Sequence, residues 1–336
     1  MDPHARRILA GGLGLLGLLA AVLASAAPRL EPGPYLEADG AMPLHLGGPV
    51  VDPYFATKAL VVANGAGLDV REAARGWIGW ALARQRFDGR FERYCRDGQT
   101  WRACGDADAD DAMLALWLEL LYRLAPAAGI PEPWRTSVGT AEAHLASLRD
   151  PTRGVYRIAR TNSTALFMDN VEVHAALKSI ARDQLRFGDG RRSRETDLQA
   201  AYLARDVLPV FWRADAGAFA VSTQERPGRA FYPDVVAQTY PWLLDLPVPA
   251  GDPRPAFAEW RRRHGADWLS LRQDDYPWGL VALTALKLGD AATARCWLDL
   301  ATPLRFGERW NLLEEAIHQA LVARLGPPPA GAVPTC

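Results

Sequence analysis

Six segments of this chain are apolar around almost the whole of a helical circumference: "DPYFATKALVVA" at 52–63, "DADDAMLALWLELLYRL" at 108–124, "FMDNVEVHAALKSIA" at 167–181, "YPDVVAQTYPWLL" at 232–244, "DDYPWGLVALTALKL" at 274–288 and "RWNLLEEAIHQALVARL" at 309–325. A helix with no wet face has to sit in an interior, which excludes most architectures at once. Between these segments run charged, amphipathic ones with apolar residues at three- and four-residue spacing: "LDVREAARGWIGWALARQ", "PWRTSVGTAEAHLASL", "RETDLQAAYLARDVLPVFW" and "PAFAEWRRRHGADWLSL". Each of these has one dry side and one wet side. Six inner helices alternating with outer ones predict an all-α fold, an (α/α)6 toroid over residues 51–326, with a Pro/Gly-rich leader at 27–50 and a flexible tail at 327–336. No first outer helix is evident, so the N-terminal seam is where the ring would be incomplete. An open helical solenoid is the alternative; closure is favoured because the count stops at six and neither end carries a polar cap.

Strand-like alternation is almost absent. The punctuation instead consists of glycine turns followed by an aromatic residue: "FDGRF" at 87–91, "TRGVY" at 152–156 and "DAGAF" at 215–219. Gly89, Gly154 and Gly217 lie 65 and 63 residues apart, the period of a helical array. At each turn the glycine supplies a backbone angle that other residues resist, and the aromatic can fold back onto the helices just joined.

The N-terminus differs from everything after it. Arg6 and Arg7 precede the apolar run "ILAGGLGLLGLLAAVLA", which ends in "ASAA", the pattern of a signal peptide cut after Ala26. A retained anchor is the alternative, since 17 apolar residues approach the thickness of a bilayer. Both readings export the protein to the periplasm or beyond, where disulfides persist. Cys95 and Cys104 flank a short polar loop containing Gly98 and are expected to staple it, whereas Cys296 reads as a small buried residue in a helix and Cys336 is not interpretable. A net charge of −1 shows no basic stripe for nucleic acid, and no cysteine or histidine spacing calls for a metal; no cofactor is expected.

Parallel inner helices aim their N-termini at one end of the ring, so the residues that open them converge. These are Tyr54, Asp108, Asp110, Asp111, Asp169, Asn170, Glu172, Tyr232, Asp234, Trp278, Trp310 and Glu314. Such a bowl suits sugars: carboxylates accept hydroxyl hydrogen bonds and move protons, and aromatic faces cover the C–H side of a sugar ring. The stretch "GDADADDAM" is the sharpest element, because one cap satisfies one helix end and four close anions raise one another's pKa. Asp110, Asp111 and Glu172 are the catalytic candidates; the first two suit a base or a substrate clamp, and Glu172 or Glu314, set deeper, a general acid. Tyr54, Asp108, Asp169, Asn170, Tyr232, Asp234, Trp278, Trp310 and Glu314 are the substrate-binding candidates. The competing structural readings are that Asp169 and Asp234 are caps, with Asp169 and Glu172 forming a capping box, and that Tyr54, Trp278, Trp310 and His174 are packing residues.

The four segments "DPYFATKALVVA", "ADADDAMLALWLELLYRLA", "FMDNVEVHAAL" and "YPDVVAQTYPWL", in this order and spacing, resemble the six-hairpin glycosidase-like proteins of bacteria. That resemblance implies an exported toroid with a carbohydrate cleft at the inner-helix N-termini. The acidic stretch also resembles the aspartate-bearing helix of family 8 endoglucanases, which would place Asp110 among the catalytic or sugar-binding acids. This chain departs from that family where its acid glutamate would stand, having Asp52 and no glutamate there. A second resemblance is to terpene cyclases, through "QRFDGRF" and "DADD", with Asp110 as the implied proton donor; the polar rim and the export signal argue against it. The expectation is therefore a monomeric glycoside hydrolase acting on a polysaccharide or oligosaccharide, with a non-catalytic glycan-binding accessory as the alternative. Contact with a membrane is expected only through a retained N-terminal anchor.

Overall fold

The chain winds inward and outward five times and returns to its start. In the computed structural model, which describes residues 27–224, 228–248, 251–273, 275–329 and 336, the inner positions are held by α1 (Pro53–Gly65), α3 (Asp110–Leu124), α5 (Phe167–Arg186), a broken helix ending in α7 (Tyr240–Leu243), α9 (Gly279–Lys287) and α11 (Leu312–Leu325). The outer positions belong to α2 (Arg71–Leu82), α4 (Glu132–Leu148), α6 (Gly190–Phe211), α8 (Pro253–Leu269) and α10 (Ala291–Ala301). Each inner element packs against the next, and α11 packs against α1, so the ring is closed: an all-α (α/α)6 toroid, not an open solenoid. The apolar run at 8–24 lies outside the described residues. Among those that are described, no helix is long and apolar enough to cross a membrane.

Tryptophan ties the two rings together. The Trp77 indole on α2 donates to Thr57 Oγ1 on α1 at 3.2 Å, Trp117 on α3 donates to Ser137 Oγ on α4 at 2.9 Å, and Trp297 on α10 donates to the Pro277 carbonyl at 2.8 Å. All three are fully buried. Burying a side chain of this size stabilises by roughly 1.5–3 kcal/mol provided its N–H finds a partner, and here each does.

The expected seam is real, and the leader fills it. Among the described residues no outer helix precedes α1; instead Tyr35 and Met42 are fully buried, and Tyr35 donates to the Trp310 carbonyl at 3.2 Å. The Leu312 amide bonds to the Leu44 carbonyl at 2.9 Å, and Gln319 on α11 exchanges hydrogen bonds with the Glu31 backbone. The leader therefore stands where the sixth outer helix would.

Three expectations need correction. The fourth inner segment is not a continuous α-helix: a π turn at Phe231–Val235 and a 3-10 turn at Val236–Thr239 precede the single turn α7. Pro233 and Pro241 cause this, since each removes an N–H and crowds the preceding turn. Strands are also present. β1 (Val50–Val51), β2 (Glu92–Asp97) and β3 (Thr100–Asp106) form an antiparallel sheet, and β4 (Trp212–Arg213) pairs with β5 (Ala218–Phe219). The signal was the "DG" dipeptide at 97–98, a hairpin turn in which Gly98 takes φ +61°. The Cys95–Cys104 bond staples this hairpin at an S–S distance of 2.03 Å. Finally, Cys296 is not a lone buried thiol but is bonded to Cys336.

The glycine–aromatic turns behave as expected. Gly89, Gly154 and Gly217 have φ of +91°, +74° and +58°. Phe91, Tyr156 and Phe219 turn inward and are buried, Phe91 edge-on against Trp117 at 5.2 Å and Phe219 stacked on Phe167 at 4.3 Å.

Candidate active site

Helix α3 begins without a side-chain cap: its N-cap residue is Ala109, and Asp110 and Asp111 occupy the first turn. The surplus of aspartates is therefore not capping. Adjacent helical residues point about 100° apart, so the two carboxylates cannot face the same place. Asp110 turns toward the outer helix, where its Oδ2 lies 3.7 Å from His144 Nε2. Burial lifts its pKa to about 6 against the pull of Arg90, with Asp106 and Asp88 adding to the rise. Asp111 turns to the ring axis. It is fully buried, neither oxygen has a hydrogen-bond partner, and burial pushes its pKa to about 7, the nearby amides opposing and Glu172 and Asp110 adding.

The neighbouring inner helix, α5, presents Asp169 and Glu172. The helix starts earlier than a capping box would place it, with Leu166 at the N-cap and no side-chain cap, so Asp169 is free of that duty. Its Oδ2 is buried without a partner, and burial, then Asp111 and Glu172, raise its pKa well above the carboxylate range. Asp111 and Asp169 thus form a facing pair of desolvated acids. Asp108, exposed at the mouth, acts on both Asp169 and Tyr54.

The floor of the bowl was not anticipated. Lys58 is the one charged residue in the apolar run of α1, and it is buried. Its Nζ lies 2.5 Å from Glu172 Oε1 and donates to the Tyr54 hydroxyl at 2.6 Å and the Tyr240 hydroxyl at 2.9 Å. Tyr54 in turn donates toward both Glu172 oxygens at 3.1–3.2 Å. Burial alone would lower the Lys58 pKa, but Glu172 and Tyr240 outweigh it and the net shift is upward. Both Glu172 oxygens are thus engaged, one by Lys58 and both by the Tyr54 hydroxyl. A lone lysine inside an all-apolar helix was the available signal for this cluster.

An aromatic wall stands beside the acids. Tyr232, 42% exposed, stacks on Trp278 with centroids 4.5 Å apart, and Tyr276 meets Trp278 edge-on. Trp278 holds φ +55° at the entry to α9, which brings the next residue hard against α11. There a side chain on Gly279 would lie 2.7 Å from Glu314 Oε2 and 2.8 Å from Ile317, so only glycine fits.

Several expected substrate contacts have other duties. The Glu314 carboxylate accepts from the Gly279 amide at 3.0–3.2 Å and so holds the start of α9; burial lifts its pKa to about 7 against that amide and the amide of Trp278. Asn170 is fully buried, its oxygen accepting from the Tyr156 amide at 2.7 Å and its nitrogen donating to the Tyr156 and Leu166 carbonyls. Trp310 is fully buried and donates to Glu315 Oε2 at 3.1 Å. Asp234 accepts from the Ala230 amide at 2.9 Å and lies along a lateral groove with Trp212 and Trp260, away from the axis. All four are structural in this arrangement: their polar atoms are taken, or they do not reach the mouth. Asp52 joins them, capping α1 and pairing with Arg93 at 2.7 Å.

Solved structures share this fold, glycosidases among them. The chain is similar to a rhamnosidase from Klebsiella oxytoca with rhamnose bound, at 14% identity and TM-score 0.54 over 81% of this chain. It spans 58% of the rhamnosidase's length. It is also similar to a glycosidase in complex with glucose (14% identity, TM-score 0.57, 88% of this chain and 94% of that one). A third likeness is to a novel alpha-amylase from Clostridium perfringens (9% identity, TM-score 0.58, 86% and 93%). At these identities the likeness is one of fold. No protein-family model and no curated sequence matches the chain.

Proposed function

We propose that this chain is an exported glycoside hydrolase whose acid/base pair is Asp111 with Asp169. Asp111 carries the reading: a fully buried carboxyl at a helix start, both oxygens unpartnered, facing a second acid in a similar state. Leaving a buried polar group unsatisfied costs about 1–3 kcal/mol, more for a charged one, so a fold that retains two adjacent acids this way keeps them for chemistry. Two such carboxyls cannot both ionise cheaply, and near neutrality the pair holds one proton. That proton passes to the departing glycosidic oxygen as the bond to the anomeric carbon breaks, while the ionised partner takes a proton from the water that supplies the new C–O bond. The pair ends with the proton count it began with.

Around this pair, Glu172 is a fixed negative charge, held by Lys58 and Tyr54, that favours positive charge developing on the sugar. Tyr54, Asp108 and the Tyr232–Trp278 stack contact the sugar at the mouth. The signal-like N-terminus supports export, as do two disulfides, which persist in an oxidising compartment.

The test is release of reducing ends from a panel of bacterial exopolysaccharides and plant β-glucans, with Asp111→Asn and Asp169→Asn alongside. Turnover lost in both variants with glycan binding retained supports the reading; turnover retained in either overturns the pairing. One feature favours a second reading, binding without cleavage: a carboxylate at the floor is already committed to an ion pair with Lys58. Glycan retention on affinity gels by wild type and variants alike, with no turnover of any substrate, would establish that reading instead.

A further inference from the structure

The broken fourth inner helix leaves space on the other side of the Lys58–Glu172 floor. Because α7 ends at Leu243, the described residues of the fourth position form no helix in the C-terminal half of the ring, and α5 and α6 face α9 across a cavity of about 1020 Å³. Ligand pockets run to about 1,000 Å³, so this is a full-sized one. Glu172 lies at its inner end and Arg182 at its outer end, which at ~1.5 Å per helical residue makes it ~15 Å deep.

The lining is aliphatic: Val62, Leu208, Leu243, Leu244, Leu283 and Leu286 form the walls. Tyr240 is the only aromatic residue among the lining, and its hydroxyl is occupied by Lys58. Sugar rings stack on aromatic faces, and these walls offer only that of Tyr240. The charges are one-sided. Seven lysines and arginines line the cavity against three carboxylates, in a chain whose net charge is −1. Five of the seven are matched by carboxylates, Arg123 by Glu119 and Arg205 by Asp206 among them, but Arg182 and Arg324, both exposed at the rim, make no hydrogen bond or ion pair among the described residues. Inside, His174 is 5% exposed, and its Nδ1 meets no protein partner.

We propose that this C-terminal cavity is a second binding site, separate from the mouth, for an amphiphile with one aliphatic chain and an anionic head group. The chain lies along the leucine walls, where burying apolar area drives binding, and the head meets Arg182 and Arg324 at the rim. An apolar hollow of this size open to water on a folded protein marks an interaction site, and the unpaired arginines select the sign of the ligand.

The probes are dodecanoate and dodecyltrimethylammonium, which share a chain and differ in head charge, titrated calorimetrically into the purified protein. Dodecanoate is expected to bind one to one, and the cation at least tenfold more weakly. Arg182→Glu with Arg324→Glu, both at exposed positions that leave the fold intact, is expected to abolish or invert that preference. Leu283→Trp, which fills the cavity, is expected to lose at least tenfold in dodecanoate affinity, and Asp111→Asn to lose none. The proposal is overturned if dodecanoate binds without saturation, if the two probes bind equally to wild type, if the arginine variant leaves the preference unchanged, or if a glycan bound at the mouth displaces dodecanoate.

Discussion

Replacing Asp111 with asparagine tests whether its carboxyl is held under strain for function. An ordinary aspartate loses its proton near 3.8, and burial moves Asp111 to about 7. Each pH unit of such a displacement is worth about 1.4 kcal/mol, so at pH 8 the ionised Asp111 weighs against folding by roughly 4 kcal/mol. The direction follows from proton uptake: the folded carboxyl is protonated between about pH 4 and 7 where the unfolded one is not, so the contribution of Asp111 to wild-type stability is greatest below pH 4. It declines as pH rises through that window and levels off above it. Asparagine cannot ionise and escapes this decline, but its unpartnered amide costs about 1–3 kcal/mol. The variant is therefore expected to be about 1–3 kcal/mol more stable than wild type at pH 8, with the difference vanishing or reversing at pH 4. Urea unfolding followed by fluorescence of the twelve tryptophans, at steps from pH 4 to 8.5, measures it. A difference that stays constant across that range would refute the assignment of a strained, proton-holding Asp111.

Lys58→Met leaves Glu172 buried with only the Tyr54 hydroxyl. Breaking a buried pair from one side costs about 3–5 kcal/mol, or a fall in Tm of roughly 5–8 °C for a chain of about 300 residues; adding Glu172→Gln should recover part of it, and an unaltered Tm would count against the ion pair. Gly89→Ala should lose more than about 1 kcal/mol in chemical denaturation, because φ is +91° and the new carbon would sit 2.6 Å from the Thr140 carbonyl oxygen. Replacing Cys296 and Cys336 with serine should cost roughly 4 kcal/mol by loop entropy, against roughly 3 kcal/mol for Cys95 with Cys104, since the separations are 40 and 9 residues. Equal losses from the two pairs would show that loop length does not govern them.

The all-α toroid was legible because its evidence is periodic and redundant: six segments without a wet face allow few other homes, and three glycine–aromatic turns mark the hairpins. What failed was local. The Pro233 and Pro241 breaks are visible in the fourth segment but outweighed there by its hydrophobicity, and the "DG" hairpin resembles a loop in sequence because its strands are rich in charged residues and largely uncovered. Among the candidate residues, a list of helix-opening acids and aromatics could not separate Asp169 from Asn170, or Trp278 from Trp310. The members of each pair open an inner helix or stand beside its start, and the neighbours each one meets separate them.

Which segments are buried can be read from the amino acids, because a missing polar face is a property of the segment and needs no partner to define it. So can where the chain turns, since a glycine that must take a positive φ is a local requirement. Tertiary structure alone decided that Asp111 faces the axis and Asp110 the outer ring. Neighbouring helical positions differ by about 100°, and the rotation of α3 is set by how it packs between α1, α4 and α5. It also decided that Lys58 meets Glu172 and that the shortened fourth position opens a cavity, because both depend on distances between elements far apart in the chain.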